Sequence, residues 1–364
     1  MTENCIANIK KILYLSNIEV PYRVRMFNEM AKNCDLTVVY ERKKSNNRNN
    51  IWTNSERKQY QVEYLGGIQL KNENALSFKI LKYVFSKKYD AIIFGCYNSP
   101  IQAFAILIMK LFRRPYIINL DGEPFLHEKG FKTKLKRFFL KGAKKYLIAG
   151  EKAAESLKKN INSGEIISYG FSSLYEKELQ EHADTAKMRK DTILVVGQYF
   201  DYKGMDVALQ TAQKNRNIPY KFVGMGNRTE LFIQEQQFEK DKNIELIPFL
   251  QKEDLEREYQ TCSALLLPSR QECWGLVINE AASFGTPIIS TDGSGAAVEF
   301  LSNEYPQYLA KAGDVDSLYS CIQTFKTATN MDEYSKFLLK KSQNYSIEKM
   351  VDAHLVACGI ERNV

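Results

Sequence analysis

Two short apolar runs with a helix-sized segment between them constrain the fold of this chain more than any other feature. Leu265, Leu266 and Leu267 form the first run, stopped by Pro268, and Pro287 to Ser290 is the second. Runs this short and this apolar suit strands buried on both faces of a parallel sheet. Leu276 to Phe284 reads as a helix, with Gly285 as a left-handed cap. Strand, loop, helix and strand in that order build an open α/β sheet, which binds ligands beyond the carboxyl ends of its strands. Glu272 falls in the loop at that end, and Glu280 lies within the helix.

A carboxylate in such a loop, followed by Gly275 and the free backbone donors of a helix start, can hold a polyhydroxylated group and an anion together. A second carboxylate deeper in the helix can accept hydrogen bonds from a diol. Two glutamates at this spacing also arise freely as a solvated residue and a helix cap. Upstream, the strand Thr192 to Val196 leads into Gly197-Gln198-Tyr199-Phe200-Asp201-Tyr202-Lys203-Gly204 and a helix from about Met205. A lysine at a glycine turn before a helix suits a diphosphate, because its charge and the helix N-terminus act on the same anion. Lys221 to Val223 runs into Gly224-Met225-Gly226, and Ile244 to Ile247 into Pro248. Asp314-Val315-Asp316, after Gly313, reads as a helix N-cap rather than a metal site, so neither metal nor cofactor is expected.

The first half has the same grammar. Lys11 to Ser16 and Asp35 to Tyr40 are strands, joined by the loop Asn17 to Arg23 and a helix from about Val24 to Ala31. Asp90 to Gly95 and Pro115 to Leu120 are further strands around an apolar helix, 101–111. Asp121-Gly122-Glu123 follows, with His127 beyond; Asp121 or Glu123 offers a carboxylate to a hydroxyl, or Asp121 simply opens a turn. From Lys129 to Lys145 eight of seventeen residues are basic, while Phe131, Leu135, Phe138, Phe139 and Ala143 recur at helical spacing. That is a basic amphipathic helix, its apolar side expected on the sheet and its lysines in solvent or at an anionic surface. Tyr146 to Ala149 and Ile166 to Tyr169 complete this half, and 41–59 reads as a polar loop.

A chain of 364 residues exceeds most single cores and implies two domains. The expected boundaries are 1–172, a polar linker 173–190, and 191–345, with a last helix of about 346–364 returning to the first domain. Residues 1–172 carry a formal +15 and 173–364 a formal −7, which points to different partners. No recognition-helix or aromatic-glycine pattern accompanies the basic half, so an anionic membrane surface or lipid phosphate is expected rather than nucleic acid. No apolar run of about eighteen residues and no secretory pattern is present. Seven scattered cysteines without a C-x-x-C pair suit a reducing compartment. The expected location is cytoplasmic, peripheral on the inner face of the cytoplasmic membrane.

The string Pro268, Ser269, Glu272, Trp274, Gly275, Glu280, Ala281, Gly285, Pro287 resembles the donor-site signature of retaining glycosyltransferases of family 4. Cys273-Trp274 stand where that family usually has Gly-Phe, and Gln198 stands where it has an arginine before the matching Lys203-Gly204. The resemblance implies a GT-B fold, two Rossmann-like domains with a deep interdomain cleft, and transfer of a sugar from a nucleotide diphosphate donor with retention. In that frame Glu272, Lys203 and Asp121 are the expected catalytic residues. Gln198, Gly204, Gly224, Arg270, Cys273, Trp274, Gly275, Leu276 and Glu280 are expected at the donor, with Glu272 on the hexose, Glu280 on the ribose and Lys203 on the diphosphate. Pro21, Tyr22, Arg23, Glu123 and His127 are expected at the acceptor, a glycan or lipid-linked molecule of bacterial surface polysaccharide synthesis. The rivals are a nucleotide-sugar epimerase, a phosphorylase, or a non-catalytic membrane-associated subunit of an assembly complex.

Overall fold

The computed structural model describes residues 9–43, 57–69, 75–125, 130–185, 189–239 and 241–361. Its contacts divide the chain into two units, 1–169 with 347–364, and 170–346.

In the first unit β1 (Lys11–Ser16), α1 (Pro21–Met30), β2 (Asp35–Tyr40) and β3 (Gln61–Tyr64) lead to a small antiparallel pair, β4 (Ile68–Gln69) and β5 (Ala75–Leu76). Then come α2 (Ile80–Val84), β6 (Ala91–Phe94), α3 (Pro100–Leu111), β7 (Ile117–Leu120), α4 (Phe131–Leu140), β8 (Lys145–Ala149), α5 (Glu151–Asn160) and β9 (Glu165–Tyr169). Seven strands pair in the order β3-β2-β1-β6-β7-β8-β9, all parallel. Parallel neighbours need crossovers, which place helices over the faces, so β1 is buried from Ile12 onward and β7 throughout. Leu13, Phe94, Ile106, Tyr116, Ile148 and Leu157 form part of one core beneath those helices.

Two helices here differ from expectation. α1 starts at Pro21, where a proline at the first helical position loses no intrahelical bond, so Pro21-Tyr22-Arg23 is its first turn and not a loop. In α4 only Leu140 is buried; Phe131, Leu135 and Phe138 face solvent instead of the sheet.

The second unit opens with α6 (Glu176–Ala183), inside the stretch expected to be a linker; its Leu179 and His182 are buried. It continues through β10 (Ile193–Val196), α7 (Met205–Lys214), β11 (Tyr220–Val223), α8 (Thr229–Glu235), β12 (Ile244–Ile247), α9 (Lys252–Thr261), β13 (Ala264–Leu267), α10 (Leu276–Ser283), β14 (Ile288–Thr291), α11 (Gly295–Leu301), β15 (Leu309–Ala310), α12 (Val315–Thr327) and α13 (Met331–Ser342). The order is β12-β11-β10-β13-β14-β15, again all parallel. The winding reverses between β10 and β13, the position where open α/β sheets bind ligands. Asp314 caps α12, its Oδ1 accepting from Asp316 N at 3.0 Å and Ser317 N at 2.9 Å. α14 (Ile347–Ala357) then returns to the first unit and buries Ile347, Met350, Val351, His354 and Leu355.

Candidate active site

At the reversal point of the second unit, the loops after β10 and β13 are clamped together. The amides of Arg270 and Gln271 both donate to the Tyr202 carbonyl, at 2.9 and 3.1 Å. Gly204 turns the first loop into α7 with φ +68°, and any Cβ there would run into the Pro268 carbonyl, so glycine is required on both counts. Gly275 does the same before α10, at φ +107°, where a Cβ would meet Ser294 Oγ at 2.8 Å.

That clamp brings Lys203 and Glu272 into contact. Lys203 Nζ lies 2.6 Å from Glu272 Oε1, and Ser269 Oγ donates to Glu272 Oε2 at 3.1 Å. The Glu272 amide donates to the Gly293 carbonyl at 2.8 Å, which fixes the loop against the chain after β14. The sequence assigns Glu272 and Lys203 to different parts of a ligand; the structure joins them as an ion pair, each side chain about one-fifth exposed. Glu280 projects from α10 and accepts from Ser173 Oγ and Tyr259 Oη, both at 3.1 Å, and burial raises its carboxyl above the usual range.

Two donor-side expectations change, and one cation joins the site. Trp274 is buried, its Nε1 donating to Asn279 Oδ1 at 2.8 Å and its ring meeting Phe171 and Tyr345, so the ring is core and cannot face a ligand. Arg270 forks onto Asp206 at 2.7 and 2.6 Å, and the pair holds Asp206 below the usual carboxylate range even against burial. A guanidinium so engaged does not replace the arginine missing at Gln198. Arg228, which follows Gly224-Met225-Gly226, was missed by the sequence reading. Its guanidinium lies 3.9 Å over the Phe200 ring and donates to the Tyr199 carbonyl at 3.2 Å. Phe200 stacks on Tyr202, and Lys203 Nζ sits 5.8 Å from the Tyr202 ring, so the two cations bracket one aromatic pair. A cation two residues beyond a glycine turn was the available signal. Cys273 is exposed, Leu276 begins α10, Gln198 is the second residue after β10, and Gly224 directly follows β11.

The first unit has its own pocket, of about 210 Å³, lined by residues including Tyr14, Asn17, Tyr22, Arg23, Gly95 and Asp121. Arg23 is paired with Asp121, which also accepts from Asn119 Nδ2 at 2.8 Å and from Tyr169 Oη at 3.3 Å. Tyr14 Oη is buried without a hydrogen-bond partner, an acceptor-seeking hydroxyl at the pocket wall. Pro21 starts the helix that delivers Tyr22 and Arg23. Glu123 does not join them: its Oε1 accepts from Phe125 N at 2.8 Å, a local turn. His127 lies outside the described residues. A larger hollow of about 440 Å³ between α6 and α13, lined by Gln180, Lys336 and Leu339 among others, holds none of the expected site residues. Among the described residues no group of three or more His, Cys, Asp or Glu is placed to hold a metal ion.

A GT-B glycosyltransferase has these two parallel sheets, and residues 176–337 match the family model described as glycosyl transferases group 1. That match spans nearly all of the second unit. An uncharacterized glycosyltransferase of Haemophilus influenzae is 27% identical over 176 residues, which is 46% of this chain and 48% of that relative. The chain therefore spans about half the length of that curated relative. The structure of Anabaena HepE in complex with UDP and glucose aligns with a TM-score of 0.69 at 16% identity, over 96% of this chain and 99% of that one. WaaG, a glycosyltransferase involved in lipopolysaccharide biosynthesis, aligns at 0.61 and 14% identity, over 94% and 98%.

Proposed function

We propose that this protein transfers a sugar from a nucleotide diphosphate sugar to a glycan or lipid-linked acceptor, with retention at the anomeric carbon. The observation that carries this reading is the Lys203–Glu272 pair at the reversal point of the second sheet. In the reaction the bond from the anomeric carbon to the diphosphate oxygen breaks, a bond to the acceptor oxygen forms, and the acceptor proton leaves with the diphosphate. Lys203, joined by Arg228, neutralises the departing diphosphate. Glu272, released from Lys203 as the anion takes the ammonium, accepts the hexose hydroxyls. Glu280 accepts from the ribose. This chain then supplies position and charge rather than a covalent nucleophile. The acceptor hydroxyl is seated in the first unit, where Asp121 and Tyr14 supply hydrogen bonds. The UDP and glucose bound by HepE, and the lipopolysaccharide role of WaaG, support a nucleotide-sugar donor and a surface-glycan product.

Titration of a nucleoside diphosphate into two variants tests the donor assignment. Glu280→Ala is expected to weaken binding by about 1.5–3 kcal/mol, while Glu272→Ala chiefly lowers turnover with the nucleotide sugar. Unchanged affinity in the Glu280 variant removes the ribose assignment. A product of inverted anomeric configuration, read by NMR, removes retention.

A further inference from the structure

The first unit carries an apolar surface on its outer helices that the active site does not use. α4 exposes Phe131, Leu135 and Phe138; the end of α3 exposes Leu111 and Phe112; Phe78 and Phe85 flank α2. These belong to one surface. Phe85 and Phe112 meet edge to face at 5.0 Å, Lys110 Nζ lies 4.7 Å over the Phe138 ring, and Arg114 ties the α3 end to the Ser86 carbonyl at 2.8 Å. The segments that carry them are strongly basic, although Glu63 on β3 lies 3.7 Å from Lys82 and Glu165 on β9 3.1 Å from Lys145. Segments 77–89, 100–114 and 130–145 together hold fourteen Lys and Arg and no Asp or Glu.

We infer that this surface docks on an anionic phospholipid bilayer, with the α4 side chains Phe131, Leu135 and Phe138 inserted among the headgroups and the surrounding lysines on lipid phosphates. Both parts are needed to explain the pattern. Charge alone would leave the exposed rings without a reason, since exposed apolar side chains rimmed by polar ones mark interaction sites. An apolar contact alone would not select three segments with fourteen cations and no carboxylate of their own. A second copy of this chain is a poor occupant, because the same face would oppose fourteen like charges. Nucleic acid accounts for the lysines and rings but not for the aliphatic Leu111 and Leu135. The inference deepens the lipid-linked part of the proposed function and is independent of its donor assignments.

Sedimentation of the full chain with vesicles of phosphatidylglycerol and phosphatidylcholine in equal parts tests it. The parent is expected to bind, and to remain partly bound in high salt, where lysine–phosphate attraction is screened. The triple variant Phe131→Ser, Leu135→Ser, Phe138→Ser is expected to unfold at the parental temperature and bind at least about tenfold more weakly, with nothing bound in high salt. Equal binding by parent and variant, or complete release of the parent by salt, overturns insertion. Indifference of the parent to vesicles overturns docking, as does concentration-dependent self-association, or binding to a single-stranded oligonucleotide without vesicle binding. Sugar transfer to a soluble acceptor measured on the same triple variant separates the two readings: retained transfer with lost vesicle binding leaves the donor site standing alone.

Discussion

Gln198 shows how a single substitution is read differently once neighbours are known. By its resemblance to the family it removes a diphosphate cation, which leaves Arg270 or another residue to fill the gap, or a weaker hold on the leaving group. In the structure Arg270 is held by Asp206, whereas Arg228, stacked on Phe200, has no carboxylate on its guanidinium among the described residues. Arg228→Ala is therefore expected to weaken nucleoside diphosphate binding by about 1.5–3 kcal/mol, and Gln198→Arg to strengthen it by less than about 1 kcal/mol. Calorimetry on both variants measures this, and a larger gain from Gln198→Arg than loss from Arg228→Ala would mean that Arg228 lies outside the diphosphate site. The glutamates and Lys203 were legible because their spacing fixes where they leave the strands. Their pairing was not, because the two residues are 69 apart in the chain and are aligned by the pairing of β10 with β13 and by the bonds of Arg270 and Gln271 to the loop before α7. His182 was silent in sequence. It is stacked 3.9 Å from Phe284, with Nδ1 2.7 Å from Ser283 Oγ, and burial lowers its pKa to about 4. Glu178 and Glu181 oppose that shift, and Lys252 adds to it. With the folded value depressed, the unfolded chain takes up the proton first, so stability is present above about 6.5 and is lost as pH falls toward 4. The melting temperature of His182→Gln is expected to fall less between pH 7 and pH 5 than that of the parent.

At the scale of elements, strands and their order of appearance were the most legible, since runs such as Leu265–Leu267 have no alternative to burial. Helix placement was less so. The first turn of α1 was read as loop because its proline looked like a breaker, and α6 was read as linker because its charged residues masked an amphipathic side. α4 shows the limit of periodicity: a stripe of Phe and Leu tells which residues share a face but not what that face meets. α14 was read from Ile347, Met350, Val351 and Leu355, all buried in the first unit. Met350→Ala is expected to destabilise that unit by about 2–5 kcal/mol. Chemical denaturation should show the loss in one transition, with nucleoside diphosphate affinity unchanged, because the donor residues belong to the other unit. A parallel loss of nucleotide affinity would show the two units to be coupled.

The molecule as a whole is bipolar, the basic half carrying the pocket of Tyr14, Arg23 and Asp121 and the acidic half carrying Lys203, Glu272 and Glu280. All the proposed donor contacts fall within 170–346, a continuous piece of chain. That fragment, expressed alone, is expected to unfold cooperatively and to bind nucleoside diphosphate within about threefold of the full chain; a fragment that folds but does not bind would move part of the donor site into residues 1–169. The other unit is closed by α14, whose residues are synthesised after all of 170–346. On the ribosome, residues 170–346 are complete while the first 169 residues still lack the helix that packs against α1. The half translated first is thus the half that finishes last, and nascent chains stalled before residue 347 leave that half dependent on chaperones.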